Sequence, residues 1–185
     1  FEDNIMINMK NINYKGYYGV INGNQLLKSL EMHNIKFLNN IGKSLFGGGV
    51  SLIFYGIENL NFYDCQFENN IAEQDSSQSR PKPSTDNNYF NGDGGGIQLG
   101  YLCSLNNINV IFERCEFKGN SAYRHGGAIA IQTFGTVIIK DCLFQENIAN
   151  DIISANLLDN HYDLKKQGRG GAIYINPTYD SYSSS

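Results

Sequence analysis

Apolar and polar positions along this chain alternate in short bursts, and the bursts recur. From Val110 the order is Val110-x-Phe112-x-x-Cys115-x-Phe117-x-x-Asn120-x-Ala122, then Gly126-Gly127-Ala128-Ile129-x-Ile131. A period of two puts the named residues on one face of a strand and their neighbours on the other. Two residues separate Phe112 from Cys115, which breaks the alternation unless the chain turns a corner there. An amphipathic helix needs apolar residues at i, i+3, i+4 and i+7, and no copy has them. The pattern predicts three short strands and three corners per copy.

Downstream the order returns as Val137-x-Ile139-x-x-Cys142-x-Phe144-x-x-Asn147-x-Ala149 and, after an insertion, Gly170-Gly171-Ala172-Ile173-x-Ile175. Upstream it is Leu60-x-Phe62-x-x-Cys65-x-Phe67-x-x-Asn70-x-Ala72, an insertion, then Gly95-Gly96-Ile97-x-Leu99. A further copy reads Leu30-x-Met32-x-x-Ile35-x-Phe37-x-x-Asn40-x-Gly42, closed by Gly48-Gly49-Val50-x-Leu52. A degraded one reads Ile7-x-Met9-x-x-Ile12-x-Tyr14, with Tyr17 where the others carry Asn. Phe117 to Phe144 is 27 residues and Phe37 to Phe67 is 30, as one coil per copy requires. A coil that buries its apolar face only against its neighbours implies a parallel β-helix. Both insertions, residues 73–93 and 150–169, fall between the Asn-x-Ala and the Gly-Gly and are expected to leave the same corner. Residues 1–176 form one domain on this reading, and 177–185 a polar linker or tail.

The quoted motifs resemble the GGA[ILV]…FxxN repeat of polymorphic outer-membrane proteins, within the wider pectin-lyase-like superfamily. The matching residues are Gly48-Gly49-Val50, Gly95-Gly96-Ile97, Gly127-Ala128-Ile129 and Gly171-Ala172-Ile173, with Phe37-x-x-Asn40, Phe67-x-x-Asn70, Phe117-x-x-Asn120 and Phe144-x-x-Asn147. The resemblance implies an all-β, right-handed parallel β-helix (solenoid) of about five coils carrying two loop insertions. It also implies an extracellular or cell-surface location. A fold of this kind hosts several functions and does not choose among them.

Charge narrows the partners. Lys and Arg number 14 against 18 Asp and Glu, the net charge is −4, and no basic run occurs, so nucleic acid is not an expected partner. No apolar run approaches the roughly 20 residues that cross a bilayer as a helix, so no membrane span is expected in this segment. The chain begins at Phe1 and reads as a segment of something longer.

The recurring residues have structural uses. Cys65, Cys115 and Cys142 share a position with Ile35 and Ile12, as a small apolar column would. A disulfide within such a column joins only two of the three, and a straight stack aims both Cβ atoms the same way. Cys103 lies off the motif with no obvious mate. With no CxxC pair and no flanking His, no metal site is expected. Phe37, Phe67, Phe117 and Phe144 form a second column, and Asn40, Asn70, Asn120 and Asn147 a third, its amides bonded along the axis. The Gly pairs suit close backbone approach or positive φ. At the outward corner, Asp64 and Asp141 are expected to flank Arg114, with Glu68 beside Lys118.

Candidate chemistry is sparse. Arg124-His125-Gly126 is the best isolated place for proton transfer, but no stacked carboxylates accompany it. Neither catalytic residues nor cofactors are assigned. The expected role is a non-enzymatic structural or adhesive module of a cell-surface or secreted assembly, a fibrous one included. Its partners would be other protein subunits, end to end or as a homo-oligomer, and glycans are a further candidate. The alternative is a carbohydrate-binding or polysaccharide-degrading β-helix protein. Loops on a rigid scaffold collect specificity, so Tyr89, Phe90, Arg124, His125, His161 and Tyr162 are the candidate partner surface.

Overall fold

The computed structural model describes residues 4–12, 15–16, 21–23, 28–43, 49–54, 57–73, 94–99, 108–123, 125–132, 135–149 and 171–176. Among them there are strands and turns but no helix. The first rung holds β1 (Asn4–Ile12) and β2 (Lys15–Gly16), and the next β3 (Ile21–Gly23), β4 (Ser29–Leu38) and β5 (Ile41–Lys43). Then come β6 (Ser51–Phe54), β7 (Asn59–Tyr63), β8 (Gln66–Glu68) and β9 (Ile71–Glu73). The following rung has β10 (Ile97–Leu99), β11 (Asn109–Glu113), β12 (Glu116–Lys118) and β13 (Ser121–Ala122). The last has β14 (Ile129–Gln132), β15 (Val137–Lys140), β16 (Leu143–Gln145) and β17 (Ile148–Ala149), with β18 (Ile173–Asn176) beginning another.

Each strand pairs in parallel with its counterpart one rung away. One sheet runs β15-β11-β7-β4-β8-β12-β16 with β1 on β4, a second β17-β13-β9-β5-β2, and a third β18-β14-β10-β6-β3. The result is an all-β parallel solenoid.

The corners explain the spacing of the motif. Asn34, Asp64, Arg114 and Asp141 have φ between 51° and 55°, the left-handed region, and each is followed by the inward residue Ile35, Cys65, Cys115 or Cys142. One residue in this conformation turns the strand and lets its successor point inward again. That is the two-residue gap in the repeat. A second such bend, at Asn39, Asn69, Gly119 and Glu146, precedes each Asn of the amide column. Asn and Asp tolerate positive φ through local hydrogen bonding, whereas Arg114 and Glu146 meet the ordinary steric cost.

Two details differ from the sequence reading. The Asn-x-Ala segment is itself a short strand, so the rung has four strands rather than three. The degraded first copy also pairs two residues away from the expected register: Ile5 lies opposite Leu30, Ile7 opposite Met32 and Ile12 opposite Phe37. A slip of two keeps Ile5, Ile7 and Ile12 opposite inward partners, although it sets Lys10 opposite Ile35, so the alternation of the isoleucines does not fix it.

The interior is one apolar cluster, led by Phe37, Phe62, Phe67, Phe112 and Phe117, all inaccessible to solvent. Close rung spacing puts glycine at the entry to the third sheet. A Cβ on Gly95 would collide with the Ser121 carbonyl and the Gly127 oxygen, whereas one on Gly171 would meet nothing. A Cβ on Gly49 would meet both Asn70–Ile71 and Gly95, so the chain just before and just after the first insertion comes together at one corner. An insertion whose ends already meet adds little closure entropy.

Candidate interaction surface

The interior columns come first, because they fix where every outward group stands. Phe37, Phe67, Phe117 and Phe144 stack face to face with ring centroids 4.8, 4.7 and 4.9 Å apart. A parallel pair, Phe62 and Phe112, stacks at 4.7 Å and meets the first column edge-on. Both are motif residues whose role as a second aromatic column was not singled out in the sequence.

The amide column is a continuous ladder. Asn40 and Asn70 each donate a backbone N–H and a side-chain N–H to the Oδ1 of the next Asn, at 2.7–3.0 Å. Asn120 does the same to Asn147 at 3.1 and 2.8 Å. The Nδ2 groups of Asn70, Asn120 and Asn147 also reach back to the carbonyls of Phe37, Phe67 and Phe117. Asn is required because one side chain must accept from the preceding rung and donate both to that rung and to the next.

Among the described residues the cysteines are free thiols at the corner. Cys65, Cys115 and Cys142 donate to the carbonyls of Met32, Phe62 and Phe112 in the preceding rung, at 3.4–3.5 Å. These are weak bonds that Ile35 cannot make. The hydrogen bond with Cys65, together with burial, holds Cys115 protonated, and burial pushes the Cys142 thiol up.

Outside, polar groups engage one another across rungs. Arg114 takes both oxygens of Asp64, at 2.7 and 3.0 Å, and also contacts Glu113, whose carboxylate accepts from Lys140 at 3.1 Å. The Arg114 guanidinium holds the Asp64 carboxyl below its ordinary value, and Asp64 in turn raises Arg114. This corrects the expected ladder: Asp64 and Glu113 hold Arg114, rather than Asp64 and Asp141. Glu113 directly precedes Arg114, and its carboxylate accepts from the same guanidinium. Lys118 and Glu68 are register partners. Next to this chain His33 stacks on Tyr63 at 4.8 Å and contacts Glu31 at 3.3 Å. Partial burial, with Glu31 and Glu113 nearby, raises the Tyr63 hydroxyl.

Two outward positions in the middle of the third sheet are covered. Gln98 and Ala130, which alternation points outward, are 3% and 2% exposed. Among the described residues no donor reaches the Gln98 Oε1.

Of the six candidate partner residues, His125 alone lies among those described. It is buried, packs against the Tyr174 ring at 4.5 Å, and its backbone carbonyl accepts from Gly94. Tyr89, Phe90, Arg124, His161 and Tyr162 lie outside the described residues, as do Cys103, residues 74–93 and 150–169 of the insertions, and the tail 177–185. Among the described residues no three His, Cys, Asp or Glu side chains are grouped to hold a metal ion, and no helix is long and apolar enough to cross a membrane.

The last two copies of the motif are similar to a known repeat. The model of the Chlamydia polymorphic membrane protein (Chlamydia_PMP) repeat matches residues 114–132 and 141–176, well under half of the chain. No curated protein and no solved structure matches the chain.

Proposed function

We propose that the chain is a non-enzymatic structural or adhesive module of a cell-surface or secreted assembly, with its specificity carried by the loops that leave one corner of the rod. The observation that carries this reading is how the described chemical groups are used. Arg114, Asp64, Glu113 and Lys140 engage one another, and the Asn amides and thiols satisfy the backbone between rungs. Such groups set register and leave a stiff scaffold. Similarity to a repeat of polymorphic membrane proteins supports a surface location.

The test has two arms. Incubation with acidic and neutral polysaccharides, with and without Ca²⁺, should leave polymer length unchanged; sustained depolymerisation would overturn the reading in favour of a carbohydrate-active enzyme. Deleting residues 74–93 or 150–169 should leave the β-sheet circular dichroism intact and weaken binding to the surface of cells or to glycan arrays. Unchanged binding after both deletions would remove the loops from the account.

A further inference from the structure

Three free thiols stand in one interior column, and their surroundings repeat from rung to rung. The Cys65 Sγ lies 3.3 Å from the Tyr63 carbonyl oxygen and 3.4 Å from that of Met32. The Cys115 Sγ lies 3.5 Å from those of Glu113 and Phe62, and the Cys142 Sγ 3.2 and 3.4 Å from those of Lys140 and Phe112. Met32, Phe62 and Phe112 are register partners. Equivalent contacts require equivalent side-chain directions, so the sulfurs repeat at the rung spacing. Phe67 and Phe117, two residues beyond Cys65 and Cys115, set that spacing at 4.7 Å.

Two sulfurs in line at that distance suit one kind of ligand. A metal–thiolate bond is about 2.3 Å long, so two opposed bonds span about 4.6 Å. Inward side chains run across the rod axis, whereas the line between the sulfurs runs along it, so an ion midway meets each thiolate from the side. Such a pair offers an ion two donors, where a structural zinc takes four in a tetrahedron. Closed-shell monovalent ions such as copper(I) favour thiolate and accept two donors in line.

The surroundings select in the same direction. Cys65 and Cys115 are 0% and 2% exposed and lie in the apolar cluster with Phe62, Phe67, Phe112 and Phe117, which rejects hard, strongly hydrated cations. A backbone N–H also faces each sulfur. That of Cys115 reaches the Cys142 Sγ at 3.4 Å, and those of Ile35 and Cys65 favour the thiolate forms of Cys65 and Cys115. Donors aimed at sulfur lower the cost of the charge that a bound thiolate carries.

We propose that Cys65 and Cys115 bind one soft monovalent cation of the copper(I) class in line between their sulfurs, tying two rungs together. Two thiols and one M⁺ give one S–M–S anion and release two protons to solvent. A site assembled across rungs needs no CxxC pair, so spacing along the chain carries no sign of it. The role goes beyond a structural or adhesive one and does not depend on it.

The test uses the full 185-residue chain with Cys103→Ala, reduced and kept free of oxygen. This parent is incubated to equilibrium with silver(I), or with copper(I) held as its acetonitrile complex, and loosely held ion is removed by gel filtration. The expected result is one ion per chain, two protons released per ion, two sulfurs in the first X-ray absorption shell and a raised melting temperature. Position along the column supplies the control. Cys115→Ala leaves Cys65 and Cys142 two rungs apart, too far for one ion to span, and should abolish uptake. Cys142→Ala keeps the proposed pair and should bind like the parent. In Cys65→Ala the ion has only the partly buried pair of Cys115 and Cys142 and should be held more weakly. Each variant keeps an apolar side chain where another rung carries Ile35, and circular dichroism checks its fold. Should Cys115→Ala fail to fold, the sulfur count in the parent and the order of the two end variants decide. No uptake by the parent, a first shell without two sulfurs, uptake that survives Cys115→Ala, or equal losses in all three single variants would each overturn the proposal.

Discussion

Replacing Asn120 with alanine removes the middle of the amide ladder, and the structure shows which groups lose their partners. Asn120 is completely buried. Its Oδ1 accepts the Asn70 backbone N–H and side-chain N–H at 3.0 Å, and its Nδ2 donates to the Phe67 carbonyl and the Asn147 Oδ1 at 2.8 Å. Two partners keep other bonds: the Asn70 amide still reaches the Phe37 carbonyl, and the Asn147 Oδ1 still accepts the Asn120 backbone N–H. The Asn70 N–H and the Phe67 carbonyl lose the bonds that Asn120 supplied. At about 1–3 kcal/mol for each buried group left unpaired, Asn120→Ala should cost roughly 2–6 kcal/mol. Asn147→Ala should cost less, because that position is only partly buried and water can replace the amide. Urea unfolding followed by circular dichroism measures the difference, and amide exchange at Asn70 reports the local opening. Asn120→Asp adds a sign test. A carboxylate there faces two acceptors, so its folded pKa is raised above the unfolded value of about 3.9. The variant's deficit relative to wild type should be large at neutral pH and shrink as pH falls towards 4. A cost under about 1 kcal/mol for Asn120→Ala, or equal costs at Asn120 and Asn147, would refute the ladder as a source of stability.

Other expectations follow from the same geometry. Phe117→Ala opens a cavity between two stacked rings and should cost about 3–5 kcal/mol in urea unfolding, with Phe144→Ala measurably cheaper at the open end. Gly95→Ala drives a methyl into the backbone of Ser121 and Gly127 and should lower the melting temperature well below that of Gly171→Ala, which meets nothing. The Arg114–Asp64 pair is solvent-exposed, so Asp64→Asn should have a small effect that disappears at high salt. Asp64 has a folded pKa below its ordinary 3.8, so the contribution is present above that value and lost as pH falls through the folded pKa; a wild-type-minus-variant difference that grows as pH falls below 3.8 would contradict the assignment.

The sequence displayed the columns because inward residues at a fixed offset must repeat in type when every rung packs on the next. Phe37, Phe67, Phe117 and Phe144 could be paired by inspection for that reason. The corners were legible as a two-residue break in alternation, though not that one left-handed residue makes each bend. Ile71–Glu73 and its counterparts were missed as strands because the inward pair there is an Asn followed by Ala or Gly, which shows no apolar alternation. The first copy was assigned two residues out because Ile5, Ile7 and Met9 all lie on one alternation, and either register satisfies it. Burial of His125, Gln98 and Ala130 was illegible for a different reason: alternation assigns a face, and only the tertiary arrangement decides whether that face meets water.

The central claim is that successive copies stack in register as consecutive rungs, and the order of ring contacts tests it most directly. In a phenylalanine-labelled sample, nuclear Overhauser contacts should link Phe37 to Phe67, Phe67 to Phe117 and Phe117 to Phe144, matching centroid separations of 4.8, 4.7 and 4.9 Å. Phe62 and Phe112 should form their own pair and touch Phe67 edge-on. A direct contact between Phe37 and Phe144, or no contact between Phe67 and Phe117, would contradict the stacked solenoid and the functional account built on it.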